Sequence, residues 1–130
     1  MVLIANRRHH LTEDPLSLSD PAEIRTACEI LLDRSFSRGG SHVKSRFQLQ
    51  VTLVNLRDTA ACGEDRATRD ALLGDLYEEI AERLTAPDAA NREEMLALLS
   101  ETRPTADNAA LWDRYQQALA KHGIAAAGGQ

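Results

Sequence analysis

Aromatic side chains are scarce in this sequence and make up only 4% of its 130 residues. A core with so few rings has to be filled by leucine, isoleucine, valine and alanine, which interdigitate well between packed helices. Hydrophobic residues form 43% of the chain and charged residues 27%. That balance is typical of a folded globular domain rather than of a disordered segment. The composition therefore favours a core of helices packed on one another.

Cysteines and long apolar runs are also lacking. The two cysteines, Cys28 and Cys62, are too few for a disulfide framework or a zinc knuckle. No stretch approaches the roughly 20 apolar residues that cross a bilayer, and the apolar N-terminus precedes its charges, the reverse of a secretory signal. We therefore expect a cytoplasmic protein without membrane contact. We expect one domain over residues 1–123 and a flexible tail over 124–130.

Motifs of catalysis and cofactor binding are missing as well. The sequence has no Gly-x-Ser-x-Gly nucleophile and no Gly-Lys-Ser/Thr phosphate loop. Di-metal sites on helices need a histidine three residues after a glutamate, and none follows Glu78, Glu79 or Glu82 at that spacing. The adjacent His9 and His10 have no further ligand at a usable distance along the chain. We therefore expect no enzyme, no cofactor and no metal site.

What the sequence does contain is helical periodicity. Asp20 and Pro21 are a suitable N-cap and first residue for a helix that ends near Arg34, with Glu23 in its first turn. A second stripe of apolar residues at helical spacing runs from about residue 65 to residue 84.

Two further helices follow toward the C-terminus. Leucines and Met95 predict a short helix that Pro104 ends. The last helix can be capped by Thr105 or Asp107, and Gly123 is a typical residue just beyond a helix end.

The segment from Arg46 shows a different period. Apolar residues alternate there with polar ones, at Phe47, Leu49, Val51 and Leu53. This alternation predicts a half-buried β-strand over residues 46–54. A single strand leaves its backbone unpaired, so it would pair with Val2–Ala5 or with the same strand of a second copy. The predicted fold is α+β and helix-dominated, with about four helices packed on this short β-element.

Charge is distributed unevenly along the chain. Residues 34–57 contain five bases and no acid, although the whole chain carries a net charge of −5. Two hypotheses follow: a dimeric β-ribbon that reads nucleic acid, or an anion or nucleotide site at residues 34–46, where glycines allow close approach of the backbone. The residues concerned are Arg34, Arg38, Lys44, Arg46, Gln48 and Gln50.

The aromatic residues of the last helix offer a different kind of site. Trp112 and Tyr115 lie on its apolar stripe, where they either pack in the core or form a docking face for a partner. Because no catalytic pattern is present, our leading hypothesis is a non-enzymatic regulatory or adaptor protein. It would act through protein–protein contacts as a homodimer, with nucleic-acid or anion binding as the alternatives.

Overall fold

The computed structural model describes residues 20–39, 42–58, 66–105 and 107–124. Within these ranges every regular element is an α-helix, and there are five of them. The helices are α1 (Pro21–Ser35), α2 (His42–Arg57), α3 (Arg66–Leu84), α4 (Arg92–Glu101) and α5 (Ala109–Lys121).

The ends of α1 and α5 show how the sequence sets helix boundaries. Asp20 caps α1 as predicted, because its carboxylate accepts a hydrogen bond from the Ala22 N–H at 3.0 Å. The cap predicted for α5 at Thr105 or Asp107 is wrong, since the Asn108 side chain accepts from the Leu111 N–H instead. Gly123 has a φ of 69°, in the left-handed region that glycine adopts without steric cost just after a helix.

The residue after Gly123 is also anchored. The N–H of Ile124 donates to the carbonyl of Leu119 at 2.8 Å, and the side chain of Ile124 packs against the core. This is the Schellman arrangement, in which the chain folds back over the end of a helix. Ile124, which the sequence analysis placed in the tail, therefore contributes to the core, and residues 125–130 lie outside the described ranges.

The strand predicted over residues 46–54 is wrong, because these residues lie within α2. Residues two apart on a helix are separated by about 200°, so an alternating pattern places successive apolar residues on opposite sides. Leu49 and Leu53 are fully buried, whereas Phe47 is 62% exposed. The α+β fold with its β-element is thus replaced by a helical bundle, and the dimeric ribbon is lost with the strand. The other pairing segment, Val2–Ala5, lies outside the described residues.

The core is formed around α3, which packs against each of the other four helices. Its buried residues are almost all aliphatic, as the scarcity of aromatics predicted. Each fully buried leucine or isoleucine contributes roughly 1.5–3 kcal/mol to folding. The large aliphatic side chains that are fully buried include Leu31, Leu32, Leu49, Leu53, Leu56, Leu73, Leu76, Ile80, Leu84 and Leu98.

Candidate protein-docking face

Helix α2 has two apolar sides, and only one of them faces the core. The inner side carries Leu49, Leu53 and Leu56, which are fully buried against α1, α3 and α4. The outer side carries a second row at positions i, i+4, i+8 and i+11, which lie on one face of a helix. We call this row the outer stripe; it consists of Val43, Phe47, Val51 and Val54.

The outer stripe is accessible at its N-terminal half. Phe47 is 62% exposed and Val43 is 54% exposed, while Val51 and Val54 are half-buried. Isolated apolar side chains are common on protein surfaces, but an aligned row of four on one helix forms a continuous patch. Contiguous apolar patches of this kind mark surfaces where another molecule docks.

Positive charge borders the outer stripe. Helix α2 contains Lys44, Arg46 and Arg57 but no acidic residue, in a chain whose net charge is −5. On a helix of 3.6 residues per turn, Arg46 lies along one edge of the stripe and Lys44 along the other. The outer side of α2 therefore combines an apolar centre with cationic edges.

Some of the polar side chains of α2 hold the bundle together. Arg57 donates through Nη1 to the carbonyl oxygens of Glu101 at 3.4 Å and Arg103 at 3.2 Å, and so caps the C-terminal end of α4. Gln50 donates to the carboxylate of Glu101 at 3.0 Å. These contacts fix the orientation of α2 on α4, and with it the direction in which the outer stripe points.

The remaining cations of α2 make fewer contacts in the part of the chain that the structure describes. Lys44 is exposed, and Arg46 is half-buried. The Nε of Arg46 is buried and has no hydrogen-bond acceptor among the described residues. Gln48, the last of the predicted binding residues on this helix, is half-buried.

The loop after α1, predicted as an anion site, is hydrogen-bonded to the turn before α4. Arg38 donates to the carbonyl of Asp88 at 3.3 Å. The side chain of Asn91 donates to the carbonyl oxygens of Ser35 at 2.9 Å and Ser37 at 2.6 Å, and Asn91 itself adopts a left-handed backbone conformation with a φ of 57°. Arg34 is exposed in the last turn of α1, where a cation complements the negative end of the helix.

A cavity of about 450 Å³ adjoins this loop. Two guanidinium groups, those of Arg38 and Arg83, line it together with Asp88. Arg83 forms ion pairs with Asp33 at 2.7 Å and with Glu79 at 3.0 Å. One of the two guanidinium groups that line the cavity, that of Arg83, is thus already paired with two carboxylates, which disfavours its use by a bound anion.

The two aromatic residues predicted as a docking face differ in how deeply they are buried. Tyr115 is 3% exposed, and its hydroxyl donates to the carbonyl of Leu99 at 3.1 Å. Its ring meets that of Tyr77 edge-on, with centroids 4.9 Å apart, and burial raises the pKa of Tyr115. Trp112 is half-buried beside Tyr115 and lines a second cavity of about 480 Å³ with Arg57 and Arg103. Tyr115 belongs to the core.

The remaining features of the described residues to consider are the Cys28 thiol, groups of metal ligands and membrane-spanning helices. Burial raises the pKa of the Cys28 thiol to about 12, so it is protonated at neutral pH and is not a nucleophile there. No three histidine, cysteine or carboxylate residues in the described ranges are placed to hold one metal ion. Within the same ranges, no helix has both the length and the apolarity needed to cross a membrane. Cys62, His9 and His10 lie outside the described residues.

Sequence reasoning missed the outer stripe because it assigned Phe47 and Val51 to the core side of a strand. The signal was present in the spacing of Val43, Phe47, Val51 and Val54, which repeats every three to four residues. Comparisons of this chain with protein-family models, with curated proteins and with solved structures each find no match.

Proposed function

We propose that this protein is a non-enzymatic adaptor that binds another protein through the outer stripe of α2. The observation that carries the proposal is the exposure of Phe47, 62%, on a helix whose opposite side already fills the core. Burying an exposed phenylalanine against a partner contributes roughly 1.5–3 kcal/mol. Aromatic residues in the middle of an interface are also those that most often dominate its affinity.

Nucleic-acid binding has less support from the same surface. Proteins that bind duplexes place cations over the phosphates throughout the contact. Here the centre of the face is apolar, with Lys44 and Arg46 only at its edges, and the whole chain has a net charge of −5. The homodimer hypothesis loses the shared strand as a support, because residues 46–54 are helical.

Site-specific photo-crosslinking tests the adaptor function. Phe47 is replaced by the photoreactive residue p-benzoylphenylalanine, and the full-length protein is irradiated in an extract of the cells that produce it. Position 97, an exposed alanine of α4, carries the same residue as a matched control. We expect one protein adduct at position 47 that is absent at position 97.

Competition makes the crosslinking result specific. Excess unlabelled wild-type protein should suppress the adduct, whereas the Phe47→Asp variant should not, because it places a charge in the centre of the apolar contact. An adduct that nuclease removes, or adducts of equal yield at positions 47 and 97, would contradict the adaptor function. An adduct of twice the mass of the chain would assign the stripe to a second copy.

A further inference from the structure

We infer that the partner segment bound by the outer stripe is an acidic amphipathic helix. This inference rests on the proposed adaptor function and specifies the chemistry of the partner. It is carried by two properties of α2: the shape of its apolar row, and the two cations, Lys44 and Arg46, that the helix places beside that row.

The shape of the outer stripe fits a helix. Its four residues span positions 43 to 54, a distance of roughly 16 Å at 1.5 Å per residue, or about three helical turns. The stripe is one residue wide and bordered by polar side chains on both edges. A partner helix lays a similar row of side chains into the grooves between such residues, with the two axes 8–10 Å apart. Addition of a β-strand would need a sheet edge, and the described residues contain no strand.

The charge of α2 specifies the partner's polar residues. Lys44 and Arg46 lie on opposite edges of the stripe, and the helix has no acid to neutralise them. Glutamates or aspartates on both flanks of the partner's apolar row would face these cations. The unpaired Nε of Arg46 would gain an acceptor when the side chain turns toward such a carboxylate. Complementary charge at the edge of an interface selects the partner and speeds its association.

Other occupants fit the same surface less well. A second copy that docked α2 on α2 would bring Lys44 and Arg46 of both chains together, on a helix that contains no acid of its own. A nucleic acid or an anionic lipid surface would have to approach a chain with a net charge of −5. An acidic helix meets the same overall charge, but its apolar row is buried on the stripe, which offsets that repulsion.

Synthetic peptides provide a direct test. The acidic peptide is a fluorescein-labelled helix of about 18 residues, or five turns, with leucines in one row and glutamates on both flanks. The control peptide has lysine in place of every glutamate. Binding to the full-length protein is followed by fluorescence anisotropy at low salt and at high salt. We expect the acidic peptide to bind at least about tenfold more tightly than the lysine peptide, and more weakly as salt rises.

Matched variants locate the binding site. Phe47→Asp should weaken binding of the acidic peptide by about tenfold or more, whereas Ala97→Asp on α4 should leave it unchanged. The double variant Lys44→Glu/Arg46→Glu should also weaken binding and remove most of its salt dependence. Its control is Arg66→Glu/Arg92→Glu, which changes the net charge equally at exposed positions in the first turns of α3 and α4 and should have little effect. Circular dichroism checks that each variant is folded.

The outcomes separate this inference from the adaptor function. Equal binding of the two peptides, preference for the lysine peptide, or no binding of either would overturn the acidic helix. Competition by duplex DNA or by vesicles containing phosphatidylserine would overturn it too, as would a dimer of this chain that Phe47→Asp dissociates. A specific protein adduct at position 47 combined with any of the peptide failures would leave the adaptor function standing with a partner of different chemistry.

Discussion

The outer sides of α2 and α3 differ in whether their side chains are paired with other residues of the chain. On α3, the exposed row is polar and paired: Asp75 accepts from Arg25 of α1 at 2.5 Å and from Arg114 of α5. Glu78 pairs with Lys121 at 2.7 Å. On α2, the corresponding row is apolar, with Val43 and Phe47 exposed and Val51 and Val54 half-buried. The exterior of α3 is therefore paired within the chain, whereas that of α2 leaves the apolar side chains of Val43 and Phe47 exposed among the described residues.

The sequence alone does not show which charged residues join one helix to another. Asp75 and Glu78 resemble solvent-exposed acids, yet each joins α3 to another helix. Lys44 and Arg46 look similar in the sequence but lie beside an apolar surface without a carboxylate on their own helix. Substitutions on α2 and α3 test whether the two outer sides behave as differently as they look.

The largest expected effect contrasts the two sides of α2 itself. Leu53→Ala removes a fully buried side chain and should lower the free energy of unfolding by about 3 kcal/mol, through lost burial and the cavity left behind. Phe47→Ala, on the outer stripe, should change it by no more than about 0.5 kcal/mol. Urea unfolding followed by circular dichroism and by Trp112 fluorescence measures both. A loss for Phe47→Ala as large as that for Leu53→Ala would mean that the stripe is packed within the chain, and would remove the docking face.

How far the fold could be predicted depends on the local pattern of each segment. Helix α1 was predicted almost to the residue, because Asp20 and Pro21 form an unambiguous start. Helix α2 was not, because apolar residues on both of its sides produce alternation in the sequence. The spacing of Leu49, Leu53 and Leu56 was equally consistent with a helix, but only the packing of α1, α3 and α4 shows which side is buried.

The candidate site could also be predicted only in part from the sequence. Lys44 and Arg46 were singled out from charge alone, and they lie beside the outer stripe, but Val43 and Val54 were not connected with them. Arg69 is a charged residue whose burial the sequence does not predict. It lies on the inner side of α3 and is only 2% exposed. Its Nε and Nη1 have no acceptor among the described residues. Charged residues are almost never buried without a partner, so no sequence rule would have placed it there.

A smaller effect is expected on the outer side of α3. Partial burial raises the pKa of Asp75, but hydrogen bonds from Arg114 and Arg25 outweigh it and hold that pKa below its ordinary value. Because the pKa is lower in the folded state, the stabilisation is present above about pH 4 and is lost as the pH falls through the folded-state pKa. Asp75→Asn should therefore lower the free energy of unfolding by about 1 kcal/mol at pH 7, a value limited by solvent screening of a half-exposed pair.

Urea unfolding from pH 7 down to pH 3 checks the sign of this effect. The difference between wild type and Asp75→Asn should stay constant down to about pH 5 and shrink below about pH 4. Asp113→Asn, at an exposed position of α5, serves as the control and should differ little from wild type throughout. A deficit for Asp75→Asn that is undiminished at pH 3 would show that packing, rather than the ion pairs, is responsible.

The smallest effect concerns Gly74, which gives Arg114 the room to reach Asp75. A Cβ at position 74 would lie only 2.5–2.8 Å from Nη1, Cδ and Cζ of Arg114. Gly74→Ala must therefore displace the Arg114 side chain from Asp75. It must also break the hydrogen bond that Arg114 donates to the Ala71 carbonyl at 3.2 Å. Alanine is favoured over glycine within a helix by about 1 kcal/mol, which offsets the lost contacts. Gly74→Ala alone should therefore change the free energy of unfolding by less than about 0.5 kcal/mol. In an Arg114→Ala background the same substitution should stabilise by about 1 kcal/mol, because no contact remains to be lost. Equal effects in the two backgrounds would show that Arg114 contributes nothing to the outer side of α3, and the contrast with α2 would then depend on Arg25 and Lys121 alone.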